Sequence, residues 1–519
     1  MYKKPLLYLI LIGTVIRVIL ASVLELGNDE VYYFTYALHL QLSYFDHPPI
    51  IAILIRIFTL NLNVTSELFV RSGSIYCAII GTLLSYQIGS FLKNTTVGWY
   101  AAVLYNTSIY SCIIAGTFIL PDSPQIIFWL ASLYLGLLII SKSENQVGSR
   151  PIHWFLFGLF NGLAIMCKVH GIFIWGGFGL YMIFYDRKML LSAGFYLALI
   201  TTLTVISPML YWNYVNHFIT YTYHSSRVGT NHFQVDVDTF FQTFLGQLFY
   251  NSPVNVIVSF LGMAVVNKKR LINDSYKRFL FLCGLPMLIT VTGISFFNPV
   301  LPHWSGPAFL TLSFFGAVYI ENVGQKAAHF FPIILRATII FISLIFICGM
   351  IIIKKYPGTI GKSEKARMGE YDFTLDMYGW RDFGNSFKKW YELEVKNGAL
   401  KPRMKILCNA WFPAAHLDYY VAPLINSHVV SLGELYDIHH YAWLNTYRGG
   451  VQKGEDLLCV VPSNYPEDVE TNFGKKFHSI QKVITFSQYR SGKICRYFSI
   501  YILRSCKEDL SNTKQLIHE

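Results

Sequence analysis

Two short polar clusters follow the first apolar segment of the chain: Asn28-Asp29-Glu30, then Tyr44-Phe45-Asp46-His47-Pro48-Pro49. The first sets two carboxylates side by side, residue types that can take a proton from a hydroxyl. The second sets a carboxylate beside an imidazole, a pair that could meet a phosphate or bind a divalent metal ion. Ionised groups are costly near lipid and persist where they work on a substrate or ion. Neighbours on a helix point roughly 100° apart, so Asp29 and Glu30 do not share one role. Asp29 is the candidate base, and Glu30 a second candidate that orients the loop or binds a cation. The structural alternatives are that Asn28 or Asp29 is a helix N-cap, and that Asp46-His47 is a polar turn held extended by Pro48.

The elements that must position these groups are mostly apolar helices. The 519 residues are 53% hydrophobic and 14% charged, against roughly 25% charged in a soluble protein. The deficit lies in residues 6–353, while 354–519 read as a soluble domain. A span takes about 20 apolar residues. That criterion predicts about eleven, at 6–24, 68–91, 97–117, 124–140, 154–168, 170–185, 191–212, 242–266, 278–296, 303–320 and 331–353. The first is too long for the apolar core of a signal peptide and is expected to be retained. The expected architecture is a mainly α, polytopic membrane domain over 1–353 with a long first outer loop, 25–67, followed by an exported α/β domain over 354–519.

Within that loop Asp29, Tyr32, Tyr33 and Tyr36 fall on one helical face, which predicts a helix lying along the membrane surface. Residues 50–60 are apolar but too short to span, which predicts a second interfacial helix. In the tail, 404–408, 457–461 and 498–503 read as buried strands, 482–486 as a weaker one, and 380–395 as a helix.

Lysines and arginines in short loops mark the cytoplasmic side. They gather at Lys3, Lys4, Lys93, Lys142, Arg150, Arg187, Lys188, Lys268, Lys269, Arg270, Lys277, Arg278 and Lys326, with only Arg56, Arg71, Lys168 and Arg227 opposite. The Asp29/Asp46 loop and the tail then face outward. This asymmetry accounts for much of the formal charge of +12, and no aromatic-basic pattern for nucleic acid is present. Cys408, Cys459, Cys495 and Cys506 fall in the exported domain, where a disulfide is permitted. There is no C-x-x-C or His/Cys zinc pattern.

Polar residues recur at each return of the chain to the outer face: Pro121-Asp122-Ser123-Pro124, Lys168 with His170, the stretch 213–241 with His217, His224, Arg227 and His232, and Asn298-Pro299-Val300-Leu301-Pro302-His303-Trp304. They could converge on one cavity. Lys168 and Arg227 are permanently cationic and are the candidate phosphate ligands, although Lys168 could instead snorkel to the interface. Asp122 is a second acidic candidate or a helix cap, and His303 a ligand or an interface anchor.

The order of these motifs resembles the membrane glycosyltransferases of the GT-C type. It is most similar to the bacterial family 39/83 enzymes, related to protein O-mannosyltransferases and lipid A aminoarabinose transferase. The resemblance is carried by Asp29-Glu30-Val31-Tyr32-Tyr33, Tyr44-Phe45-Asp46-His47-Pro48-Pro49, Pro121-Asp122-Ser123-Pro124, Pro299-Val300-Leu301-Pro302-His303-Trp304 and Gly379-Trp380-Arg381. Residues 436–443 and Gly454-Glu455-Asp456 extend it into the tail. It implies an inverting transfer of a sugar from a polyprenyl-phosphate-linked donor to an acceptor hydroxyl on lipid A, protein or cell-surface glycan. It implies a bacterial inner membrane with the site on the periplasmic or extracellular face. It places Asp29 as the general base and has cationic groups hold the donor phosphate; read from the residues themselves, His47, Lys168, Arg227 and His303 are the candidates for that phosphate, and Asp46 and Asp122 for substrate or a divalent metal. His47 stands where the aminoarabinose transferases usually carry Lys. Partners implied are the lipid-linked sugar, its acceptor and membrane lipids, with no nucleic acid.

Two other classes compete. A transporter or flippase would place ionisable groups near mid-bilayer and use broken-helix repeats. A non-catalytic glycan-binding scaffold would use the loop acids structurally.

Overall fold

The computed structural model describes residues 2–146, 148–228, 235–324 and 332–510. It is mainly helical, and among the described residues each apolar segment expected to span is mostly helix. Among the described residues six helices are long and apolar enough to cross a membrane: Lys3–Val23, Glu67–Leu92, Asp122–Glu144, Ala193–Val215, Asp274–Ile294 and Ile333–Lys355. The segment 242–266 is not one straight helix. It is a pair, Val237–Tyr250 and Pro253–Lys269, meeting at 92°, which brings the number to seven if counted as one span. The cause is local: Pro253 occupies the first turn of the second helix, and Ser252 before it has φ +64°, outside helical geometry. The other apolar stretches form Thr95–Thr107, Pro151–Cys167, Ile172–Tyr185 and Gly306–Gly324.

The chain divides into two compact units. One is Met1–Ala21 with Gln41–Ile345; the other is Ser22–Leu40 with Phe346–Glu519. The first unit is a helical bundle with a core of large aromatic and aliphatic side chains, among them Trp99, Trp129, Tyr105 and Phe315. The buried indole of Trp129 is paired: its Nε1–H donates to Thr311 Oγ1 at 2.9 Å. An unpaired indole there would cost its full desolvation.

The second unit contains a five-stranded sheet: β1 (Ile406–Cys408), β2 (Val429–Ser431), β3 (Leu457–Pro462), β4 (Phe477–Arg490) and β5 (Lys493–Cys506), in the order β2-β1-β3-β5-β4. β1 pairs parallel with β2 and β3, and β5 pairs antiparallel with β3 and β4. The three expected strands lie on β1, β3 and β5, the weaker one within β4, and the helix at Trp380–Lys396. β1 and β3 are buried along their whole length, as strands covered on both faces must be. All nine cysteines are free thiols; in this unit Cys408, Cys459, Cys495 and Cys506 are buried and Cys348 is exposed.

The second unit takes in the first part of the loop expected at 25–67. Glu25 accepts hydrogen bonds from the backbone N–H groups of Trp380 (2.8 Å) and Arg381 (3.3 Å). These are orphan donors at the start of Trp380–Lys396, where a carboxylate is favourable. Leu26 N–H donates to Tyr420 OH at 2.7 Å. The helix that follows, Asn28–Leu38, buries Tyr32 and Tyr36. Their rings pack tilted or edge-on against Trp411, His439 and His440 at centroid distances of 4.9, 5.8 and 4.8 Å. Its tyrosine face therefore meets protein, where a helix lying along the membrane surface was expected.

Candidate active site

In the first unit the expected polar residues gather around one ion pair. Helix Pro151–Cys167 ends at Lys168, whose φ of −158° breaks it before the turn Val169–Gly171. That break frees the lysine side chain to reach the start of Asp122–Glu144. Its Nζ lies 2.9 Å from Asp122 Oδ2 and 3.2 Å from Oδ1. Gln125, one turn further along, donates to the Lys168 carbonyl at 2.8 Å and fixes the break. Tyr110 OH donates to Asp122 Oδ1 at 3.0 Å from a π-helical turn, Tyr110–Ile114.

Three histidines lie within electrostatic reach of this pair: His47, His170 and His303. His170 packs 5.6 Å from the Trp304 ring, and His303 6.2 Å from Tyr250. The Tyr44–His47 turn closes with a bond from Tyr44 N–H to the His47 carbonyl at 3.1 Å. Two residues of helix Ile219–Val228 hold this turn. Thr220 Oγ1 donates to the Tyr44 carbonyl (3.0 Å), and His224 Nε2 to the Asp46 carbonyl (2.7 Å). Burial pushes the His47 imidazole down to about 3, with Asp46 and Asp122 opposing and His224 and Lys168 adding. His47 therefore carries no charge at pH 7.

Lys168, Asp122, His47 and His303 are thus brought together, with Asp46 on the same turn as His47. Arg227 lies on Ile219–Val228, and its side chain falls outside the described residues, as does His232. Among the described residues no group of three His, Cys, Asp or Glu side chains is arranged to hold a metal ion. Tyr110 and Gln125 carry no sequence signal of their own. His224 was visible only as one histidine in a polar stretch.

Asp29 and Glu30 belong to the second unit. Gly27 is the N-cap of Asn28–Leu38, and Glu30 Oε2 accepts the Gly27 N–H at 2.8 Å. This is the return half of a capping box, and it leaves neither Asn28 nor Asp29 as the cap. Glu30 is buried, whereas Asp29 is exposed in the first turn. His416 is a further residue with no sequence signal. Its Nε2 bridges the carbonyls of Leu26 (3.2 Å) and Asp376 (2.9 Å), holding the segment before Asp29 in place.

With that geometry in place, the chain can be set beside known proteins. Residues 46–212 match the family model described as Dolichyl-phosphate-mannose-protein mannosyltransferase. The architecture is the GT-C fold of membrane glycosyltransferases, and the resemblance read from the motifs holds. Two similar solved structures are both of ArnT from Cupriavidus metallidurans. The one bound to undecaprenyl phosphate has a TM-score of 0.60 at 12% identity, covering 96% of this chain and 98% of that one. The apo form has a TM-score of 0.58 at 12% identity, covering 95% and 97%. No curated protein matches the sequence.

Proposed function

We propose that the chain is an inverting glycosyltransferase that moves a sugar from a polyprenyl-phosphate-linked donor to an acceptor hydroxyl. The observation that carries this reading is the buried Lys168–Asp122 pair with neutral His47 beside it in a GT-C fold. Two N–H groups of Lys168 are directed at Asp122, and an ammonium has three. The third, with the imidazole N–H of His47 and with His303, would receive the lipid phosphate. Preorganised donors at developing charge are worth a large share of such catalysis.

In the second unit Asp29 would take the acceptor's proton. The acceptor oxygen then attacks the anomeric carbon, the carbon–oxygen bond to phosphate breaks, and the lipid phosphate leaves with the electron pair. Glu30, committed to its cap, supports the helix that carries Asp29. Asp46 would stand near the donor through its turn. A groove of about 770 Å³, lined by Phe244, Leu248, Ile257, Phe260, Leu288 and Phe296, lies in the first unit. Its apolar walls suit a prenyl chain. The similar ArnT structure bound to undecaprenyl phosphate supports the same donor class. The distribution of lysine and arginine supports a site facing away from the cytoplasm.

The test is transfer by the purified full chain from a panel of undecaprenyl-phosphate-linked mannose, glucose and aminoarabinose. It is paired with mass spectrometry of envelope glycolipids and glycoproteins from a deletion strain and its parent. Donor consumption lost in Asp29→Asn is the expected result. Full transfer by that variant, or no sugar missing from the deletion strain, overturns the reading.

A further inference from the structure

We propose that Arg17, in the first spanning helix, is a positioning residue for the donor-phosphate site. It clamps the chain break that carries Tyr110 and so fixes the Asp122 carboxylate that orients Lys168. The inference rests on the reading of Lys168 as a phosphate ligand, and every residue in it belongs to the first unit.

Arg17 lies in the apolar helix Lys3–Val23 and is 3% exposed, while Ile12, Val15, Ile16 and Ile19 around it are exposed. A charged side chain in a spanning helix is expensive and turns inward to groups that use it. Its Nη2 donates to Asn106 Oδ1 at 3.0 Å and to Cys112 Sγ at 3.5 Å. Among the described residues it has no carboxylate partner, and its buried Nε–H meets no acceptor. An arginine kept for stability alone would not leave a buried charge on neutral partners with one N–H unpaired.

The surroundings are shaped to it. A Cβ at Gly13 would lie 2.7 Å from Nη1, and one at Gly116 3.2 Å from Nε. Asn106 Nδ2 donates to Thr82 Oγ1 and to the Ala102 carbonyl, each at 2.9 Å, which leaves its oxygen for Arg17. Asn106 stands in the last turn of Thr95–Thr107, where the partial negative charge of a helix end favours a cation.

Asn106 and Cys112 flank the break between Thr95–Thr107 and the π-helical turn Tyr110–Ile114. One nitrogen of Arg17 therefore holds both sides of it. Ser252 holds the backbone of the same break: its Oγ donates to the Thr107 carbonyl at 2.7 Å and accepts the Ile109 N–H at 3.2 Å. What the break presents is Tyr110, whose OH shares Asp122 Oδ1 with Lys168 Nζ. With the break loosened, the phenol no longer fixes the carboxylate, and the Lys168 N–H left for phosphate loses its direction.

Binding of undecaprenyl phosphate to the purified full chain reads the site without sugar transfer. We expect Arg17→Gln and Tyr110→Phe each to weaken binding about tenfold, and the double variant to bind no more weakly than Tyr110→Phe alone. A purely structural arginine would weaken binding whether or not residue 110 keeps its hydroxyl. Losses that multiply in the double variant, or unchanged binding in either single one, overturn the proposal. Should Arg17→Gln fail to fold, Cys112→Ala takes its place, leaving the guanidinium on Asn106 and releasing its second anchor. It should weaken binding at least about threefold alone and not at all beside Tyr110→Phe. Unchanged binding in Cys112→Ala alone, or a further loss beside Tyr110→Phe, then overturns the proposal. A wild-type chain that binds no undecaprenyl phosphate removes the donor reading. The clamp is then decided in the ligand-free chain, where the falls in thermal midpoint for the substitution at 17 or 112 and for Tyr110→Phe should combine to less than their sum. Full additivity there overturns it.

Discussion

Lys168 Nζ lies 2.9 Å from Asp122 Oδ2, and neither side chain is more than 4% exposed. Removing one partner of such a pair strands the other charge, at a cost of about 3–5 kcal/mol. Lys168→Met and Asp122→Asn should each lower the thermal midpoint of the full chain sharply. Replacing both, by Met and Leu, should recover most of the loss, because an apolar pair of similar volume is often neutral or better. Sugar transfer should stay absent in all three. Recovery of transfer in the double variant would remove Lys168 from the phosphate role.

Asp29 and Glu30 are adjacent but held differently, and substitution should separate them. Asp29→Asn should abolish transfer with an unchanged thermal midpoint, since the residue is exposed and is not the cap. Glu30→Ala should cost about 1–2 kcal/mol through loss of the bond to Gly27, with transfer falling only in step with folded protein. A fully stable Glu30→Gln chain that transfers nothing would contradict this division.

Gly306 sits against the ring of Tyr110, the residue that donates to Asp122. A Cβ at this position would lie 2.3 Å from the ring carbons. Gly306→Ala therefore has to push Tyr110 off the carboxylate. A loss of about 1–3 kcal/mol is expected, the usual cost of overpacking, together with slower transfer. Unchanged melting of the alanine variant would count against a tight fit here.

Buried His416 and partly buried Glu467 of the second unit should give opposite pH trends. Burial pushes His416 down from its ordinary 6.5 to about 3. Between those values the unfolded chain binds a proton that the folded chain refuses, so stability falls as pH drops below 6.5. Burial pushes Glu467 up from 4.5 to about 7. There the folded chain holds the extra proton, so its contribution is complete below 4.5 and lost as pH rises through about 7. His416→Gln should flatten the rise of thermal midpoint from pH 4 to 6. Glu467→Gln should raise the midpoint at pH 8 and leave it alone at pH 5.

The apolar runs and the order of the polar motifs were legible because hydropathy and motif order survive without coordinates. Asp122, Lys168, His47 and His303 could be grouped in advance because each ends or interrupts an apolar segment on the same face. The home of Asn28–Leu38 was not legible. A tyrosine stripe is satisfied equally by a membrane interface or by Trp411, His439 and His440, and periodicity cannot choose between them. Glu30 looked like chemistry because its partner is a backbone N–H, which leaves no mark in sequence. The bend at Ser252-Pro253 was masked by apolar residues on both sides. β2, at three residues, is too short to carry a period. His224 works through a carbonyl, and any histidine in that stretch would have read the same.

The second unit is assembled from two stretches of chain separated by 305 residues, Gln41–Ile345. Evolution and engineering therefore face the same constraint. The tail cannot be exchanged with that of a relative by a single crossover near 353, because Glu25, Asn28 and the tyrosine face were fitted to the old tail. A viable chimera needs two crossovers, so that 22–40 travels with its sheet. A chain shortened at 353 would leave those residues without the partners that fold around them, and the helix bearing Asp29 with nowhere to pack.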